Sequence, residues 1–223
     1  MGGCETARVT AVAERPDPWA DVVEEVVDLP GGAVAVRHPR DGLDLLDEEA
    51  FERDQFLPYW ADLWPSAVAL ADVVARRPPT GKRVLELGCG IGLPGIVAAR
   101  GAAADVLLAD WSPDAIAFAA DNAARNGVGV RTVVASWESP RELTVEGGWD
   151  LVLASDVLYE ERNVLPLLEA LDALVGAGGE VWLTDPRRRH TPAFLELAAE
   201  QWRTGTLASA RVEGVDLHIL ARP

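Results

Sequence analysis

Short apolar runs and amphipathic stretches alternate along most of this chain, with turn residues between them. RVLELG (83–88), DVLLAD (105–110), VRTVVAS (130–136), DLVLASD (150–156) and EVWLTD (180–185) are brief and rich in Val and Leu. Such runs predict strands buried on both faces. Helical patterns fall between them. One runs from Leu93 to Gly101. A second starts at the Ser112-Pro113 cap and ends at Asn126-Gly127, and a third is Leu-rich over 162–175 and closed by GAGG. The segment 191–202 reads as a helix with a proline near its start. Upstream, Pro65-Ser66 opens a helix with apolar residues at 67, 68, 70, 73 and 74, and PPTGK stops it. TLASARVEG and VDLHILARP read as two strands across a tight turn, which puts an antiparallel strand at or near one edge. EEVVDLPGGAVAVRHP (24–39) is a β-hairpin around Pro-Gly-Gly. Residues 1–20 have no period and predict a loose arm; the acidic stretch 41–54 predicts short helix or loop. The fold class is therefore α/β: a Rossmann-like, seven-stranded, mostly parallel sheet with helices on both faces, an antiparallel C-terminal strand and an N-terminal hairpin extension. The division expected is 1–55 for arm and hairpin, and 56–223 for the main domain.

Charge narrows the partners. The 223 residues carry a formal net charge of −16. Such a surface repels phosphate backbones, so no nucleic-acid partner is expected, and a basic molecule or basic protein segment suits it better. Only Cys4 and Cys89 are present, and no disulfide framework follows from them. A cytoplasmic setting is expected. No apolar run reaches membrane-spanning length. MGGCET matches an acylation pattern, but Glu5 follows and no polybasic stretch supports it, so a plain terminus and no membrane partner are expected. The sequence leaves the oligomeric state open.

The candidate chemistry lies in ELGCGIGLPG (86–95). Glycines at 88, 90, 92 and 95 give two overlapping motifs. From Gly90 the spacing is the dinucleotide fingerprint G-x-G-x-x-G. From Gly88 it is G-x-G-x-G behind an acid, Glu86. Both readings put a ligand at the carboxyl ends of the strands, and both find a ribose acid in Asp110, 20 residues after Gly90. Glu86 separates them, because a carboxylate facing the crevice would repel a pyrophosphate. S-adenosylmethionine (SAM) has no phosphate and carries an ammonium group that an acid suits. On this reading Gly95 is an incidental helix residue.

E-x-G-x-G-x-G with an acid ending the next strand resembles motif I of seven-β-strand, class I methyltransferases. YWADLWPSAVALA (59–71) and SDVLYEERNVLPLLEAL (155–171) resemble one branch of that class. This is the lysine methyltransferase family that includes the electron-transfer-flavoprotein β-subunit enzyme and bacterial predicted nicotinamide N-methylases. The likeness covers about residues 55–223. Ser66 stands where many relatives have glycine. The resemblance implies a SAM-dependent N-methyltransferase that releases S-adenosylhomocysteine. It implies a cofactor site formed by Gly88, Cys89, Gly90, Gly92, Asp110 and Ser155, with Glu86 beside them. By position in the family, Trp111 packs on the adenine face and Trp137, next to Ser136, closes its other side.

Trp60 and Trp64 are candidates for the methionine end, where a sulfonium gains a cation–π term of about 0.5–2 kcal/mol; an aromatic helix-packing pair is the plainer reading. Asp156 and Tyr159 lie just past the fourth strand, where a methyl acceptor approaches, and are the candidate catalytic residues. A helix cap and a surface tyrosine are their ordinary alternative. RRRH (187–190) reads as a solvated loop. The three histidines and two cysteines have no metal-ligand spacing. The expected acceptor is a protein lysine. A small amine or heterocyclic nitrogen, or a SAM-binding protein without turnover, are the rivals.

Overall fold

The computed structural model describes residues 16–45 and 57–222. Most of the expected N-terminal arm, including Cys4, and most of the acidic stretch 41–54 lie outside the described residues.

Seven strands form one sheet in the order β5-β4-β3-β6-β7-β9-β8. They are β3 (Arg83–Leu87), β4 (Asp105–Asp110), β5 (Arg131–Val134), β6 (Trp149–Ser155), β7 (Val175–Asp185), β8 (Arg203–Ala208) and β9 (Asp216–Ala221). The first five are parallel, and β9 runs antiparallel between β7 and β8. Strand order reverses beside β3, whose neighbours are β4 and β6. This is the switch point where a crevice opens at the strands' carboxyl ends.

Strand alternation sends successive side chains to opposite faces. Val84, Leu108, Leu151 and Leu153 join one core with α1 (Pro65–Arg76), α2 (Leu93–Arg100) and α3 (Pro113–Arg125). Leu85, Leu87, Val152 and Ala154 join the other with α4 (Val164–Leu174) and α5 (Thr191–Ala198). The N-cap of α3 is Ser112, whose hydroxyl accepts from the Ala115 amide at 3.3 Å.

The hairpin, β1 (Val22–Val27) paired with β2 (Val34–Pro39), is a separate two-stranded sheet. Val34 and Val36 are buried in the first core. Asn122 on α3 accepts from the Arg37 amide at 2.7 Å and donates to the Arg37 and Ile91 carbonyls, both at 3.0 Å. One side chain thus couples the hairpin to the glycine loop. Trp19 stacks on Phe118 of α3, with centroids 3.8 Å apart.

Of the boundaries that differ from the sequence expectation, three change how elements are connected. GAGG does not form a closing loop: β7 starts directly after α4 at Val175, with a register shift opposite Trp149–Leu151. Glycine permits this because Gly148 and Gly176 meet backbone to backbone, and a Cβ on either would lie 2.5 Å or less from main-chain atoms. α5 stops at Ala198, four residues before the expected Trp202. The last hairpin turn is longer than expected, because the Ser209 hydroxyl accepts from the Arg211 and Val212 amides and folds 209–215 into a turn.

Candidate active site

A cleft of about 270 Å³ opens at the carboxyl ends of β3, β4, β6 and β7. Its floor is the glycine loop. Gly90 has φ +50°, and a Cβ there would meet the Trp60 carbonyl oxygen at 3.2 Å. Glycine is needed here for a left-handed backbone pressed against another main chain. The same glycine also lines the cleft.

The loop's amides are largely committed within the protein. The Gly90 N–H donates to Asp110 Oδ2 and the Ser112 N–H to Asp110 Oδ1, both at 2.9 Å. The Cys89 N–H goes to the Ala109 carbonyl at 3.0 Å, and the Gly92 N–H to the Cys89 carbonyl at 2.8 Å. In the first turn of α2, the Gly95 N–H donates to Glu86 Oε2 at 2.8 Å. An anion normally sits on such first-turn amides. Here the Glu86 carboxyl already accepts from one of them, which argues against a pyrophosphate there and fits a cofactor without phosphate.

The cleft brings together Trp60, Trp64, Gly88, Cys89, Gly90, Asp110, Trp111, Trp137, Ser155, Asp156 and Tyr159, eleven of the fourteen residues singled out from sequence. Glu86, Gly92 and Ser136 do not line it. Glu86 shares the face of Val84, so alternation turns it under α2, where it is fully buried. It cannot meet a cofactor ammonium across the crevice, as the sequence reading had it. Gly92 is the left-handed N-cap of α2, and its α-carbon faces Ala119 and Leu108. The Ser136 hydroxyl is turned into its own loop, accepting from the Glu138 amide at 3.2 Å. Gly95, read as incidental, is required: a Cβ would lie 2.2 Å from Leu108 Cδ2 and 2.7 Å from Glu86 Oε2.

Burial governs the acids. It pushes the Asp110 carboxyl up to about 6, although the Ser112, Gly90 and Trp111 amides oppose the shift. It pushes Glu86 up to about 8 against the Gly95 amide. It also pushes the Tyr159 phenol up to about 12, helped by the nearby Glu160 and Asp110 carboxylates.

Nine further residues line the cleft that sequence reasoning did not single out, and four of them are polar or aromatic enough to carry chemistry: Tyr59, Asp62, Glu160 and Arg188. Tyr59 packs on Tyr159 with ring centroids 5.1 Å apart and edge-on to Trp64 at 6.1 Å. The Trp64 indole N–H donates to the Tyr59 carbonyl at 2.6 Å. These rings form an aromatic chamber. Arg188 donates from Nε and Nη2 to Oδ1 and Oδ2 of Asp156, at 2.8 and 2.9 Å. Tyr59 opens the same YWADLWP segment that carried the resemblance, so a signal for it existed. Arg188 sat in the run read as solvated, and the run itself carries no sign of a partner at Asp156.

A Rossmann-like sheet with β9 inserted between β7 and β8 and the site on the loop after β3 is an architecture that methyltransferases use. It is shared with the N-methyltransferase NodS from Bradyrhizobium japonicum, solved with S-adenosyl-L-homocysteine: TM-score 0.60 at 16% identity, covering 78% of this chain and 97% of that one. The chain belongs to the lysine methyltransferase family, whose model matches residues 59–201. It is 33% identical to the electron transfer flavoprotein β-subunit lysine methyltransferase of Danio rerio, over 59% of this chain and 51% of that protein. It is also 33% identical to the histone-arginine methyltransferase METTL23 of Homo sapiens, over 54% of this chain and 66% of that protein. The matches thus span about half to two thirds of these relatives' lengths.

Proposed function

We propose that this protein is a SAM-dependent N-methyltransferase whose acceptor is a lysine side chain of another protein. The observation that carries the reading is one continuous cleft with a buried ribose-type acid, Asp110, and an aromatic chamber of Tyr59, Trp64 and Tyr159. When bound, SAM supplies a methyl group activated by a sulfonium. Asp110 is held by the Gly90, Ser112 and Trp111 amides, and the lone-pair capacity it keeps can accept from a ribose hydroxyl. Trp111 and Trp137 are assigned to the adenine, and Trp60 and Trp64 to the methionine end.

The chamber serves the acceptor. A lysine amine is mostly protonated at neutral pH, since its ordinary pKa is about 10.4. Aromatic walls remove water, which favours the neutral amine, and their π faces then favour the charge that grows on nitrogen during transfer. Positioning in a preorganised chamber is the enzyme's main contribution to such a displacement. Asp156 and Tyr159 are the acceptor-side residues. The acidic surface supports a basic protein segment as partner over a neutral small amine.

Incubation of the protein with tritiated SAM and a cell extract tests this, with label followed separately in protein and small-molecule fractions. The expected result is label in protein, recovered after hydrolysis as methyl-lysine. Label confined to small molecules would replace the protein acceptor with a small amine, and label in neither would remove the activity.

A further inference from the structure

Asp156 and Arg188 meet at some structural cost. Ala102, Asp156 and Arg187 are the described non-glycine residues with positive φ, at +58°, +55° and +62°. Asp156 is one partner of the ion pair, and Arg187 is the residue next to the other. Strained backbone of this kind persists where the surroundings overdetermine it, and it clusters at functional sites. Here it lies at the carboxyl ends of β6 and β7 and turns the two side chains toward each other across the cleft. The pairing is two-pronged, and the Asp156 side chain is only 8% exposed while that of Arg188 is 37% exposed. Arg188 is also the sole cation among the described residues lining the cleft, and it stands beside the aromatic chamber.

Asp156 would otherwise be a fork-shaped acceptor at the end of an aromatic chamber. A guanidinium is recognised by such a fork, with two parallel N–H···O bonds. A lysine ammonium is a compact charge that needs no fork. The fork is already filled from within, and an intramolecular partner has the advantage of high effective concentration. We propose that Arg188 determines acceptor chemistry: by holding both oxygens of Asp156 it reserves the chamber for an amine and denies it to a guanidinium. This rests on the methyltransferase reading above and makes its acceptor side specific.

A second consequence follows for the proton. During transfer the amine lone pair forms the new N–C bond while the C–S bond breaks onto sulfur. The nitrogen must therefore have shed a proton beforehand, and it ends positively charged. A bare Asp156 carboxylate would keep the ammonium protonated, whereas the Arg188–Asp156 pair presents no net charge. The other titratable groups acting on Arg188 are Asp185, whose Oδ1 accepts the Arg188 amide at 2.8 Å, and the Tyr59 phenol, while the carboxylates Asp62, Glu160 and Asp110 line the same cleft. They act on wild type and variants alike, so removing the Arg188 charge is read against a constant background.

The test compares wild type with Arg188→Met and Arg188→Gln, each first shown to bind SAM with normal affinity. Butylammonium and butylguanidinium are titrated into protein saturated with S-adenosylhomocysteine, and binding is followed by NMR. Wild type is expected to prefer the ammonium. Arg188→Met is expected to shift the preference toward guanidinium by at least about tenfold, the worth of a charge-assisted hydrogen bond. Arg188→Gln, with one short amide in place of the fork, is expected to shift it the same way. In extract labelling, methyl-arginine is expected to appear beside methyl-lysine in the variants only. An unchanged probe preference in either folded variant overturns the inference, even where wild type labels lysine. Wild type that labels no lysine but shows the preference and its loss would instead sink the functional reading and leave the pocket assignment standing.

Discussion

Asp110 does two jobs that its sequence position alone did not separate. It closes the glycine loop by accepting from Gly90 and Ser112, and it presents its remaining lone pairs to the cleft. Asp110→Ala removes charge-assisted hydrogen bonds to ribose worth about 1.5–3 kcal/mol, so SAM affinity is expected to fall roughly ten- to more than hundredfold. Calorimetry on the folded variant checks this, and unchanged affinity would remove Asp110 from the site. Glu86 has a different consequence. Its carboxyl is raised from 4.5 to about 8 in the folded protein. Between those values the native state holds a proton that the unfolded chain has released, so stability falls as pH rises through this window. Asp110, raised from 3.8 to about 6, adds the same sign at the lower end. The Glu86 contribution is of order 5 kcal/mol at most across the full window. Glu86→Gln cannot ionise. The variant is expected to match wild type near pH 5, where the protonated carboxyl leaves Oε1 as unpartnered as the amide that replaces it, and to be the more stable of the two by pH 9. Urea midpoints at five pH values measure this, and parallel curves would refute it.

At the scale of elements, the decisive contact is α2 on β4. The helix sits so close to the strand that a single methyl at Gly95 would overlap Leu108 and crowd Glu86. Overpacking of this kind costs about 1–3 kcal/mol. Gly95→Ala is expected to lower stability within that range and to weaken SAM binding, because α2 carries the loop with it. Gly129 is a suitable control, since nothing lies within 4 Å of a Cβ built there. Gly129→Ala is expected to change stability by less than about 0.5 kcal/mol. Thermal melts of the two variants side by side give the answer, and equal melts would mean that α2 can shift freely.

Across the whole molecule, the net charge of −16 acts on any basic acceptor as a long-range field. Salt screens such a field, with a Debye length of about 10 Å at 0.1 M. Raising salt from 50 to 300 mM is therefore expected to increase the KM for a protein acceptor several-fold, while SAM affinity stays within about twofold. Initial labelling rates at a series of salt concentrations, with calorimetry for SAM, make the comparison. A KM that does not respond to salt would point to a small or uncharged acceptor.

Hydrophobic period alone determined the order of strands and helices, because burial on both faces of a parallel sheet demands apolar runs such as Val84–Leu87 and Leu151–Ala154. Spacing determined the glycine loop and Asp110, because a strand-turn-helix unit leaves few places for them. Directions and partners were decided elsewhere. Whether Glu86 faced the crevice or α2 depended on which face of β3 each helix covers. Gly95 mattered because of Leu108 on the adjacent strand. Asp156 and Arg188, separated by 32 positions, meet only because β6 and β7 pair in parallel and end together. A local pattern records the period and the turn at each residue, but not which side chain another strand will place opposite it, and that choice belongs to the packed sheet.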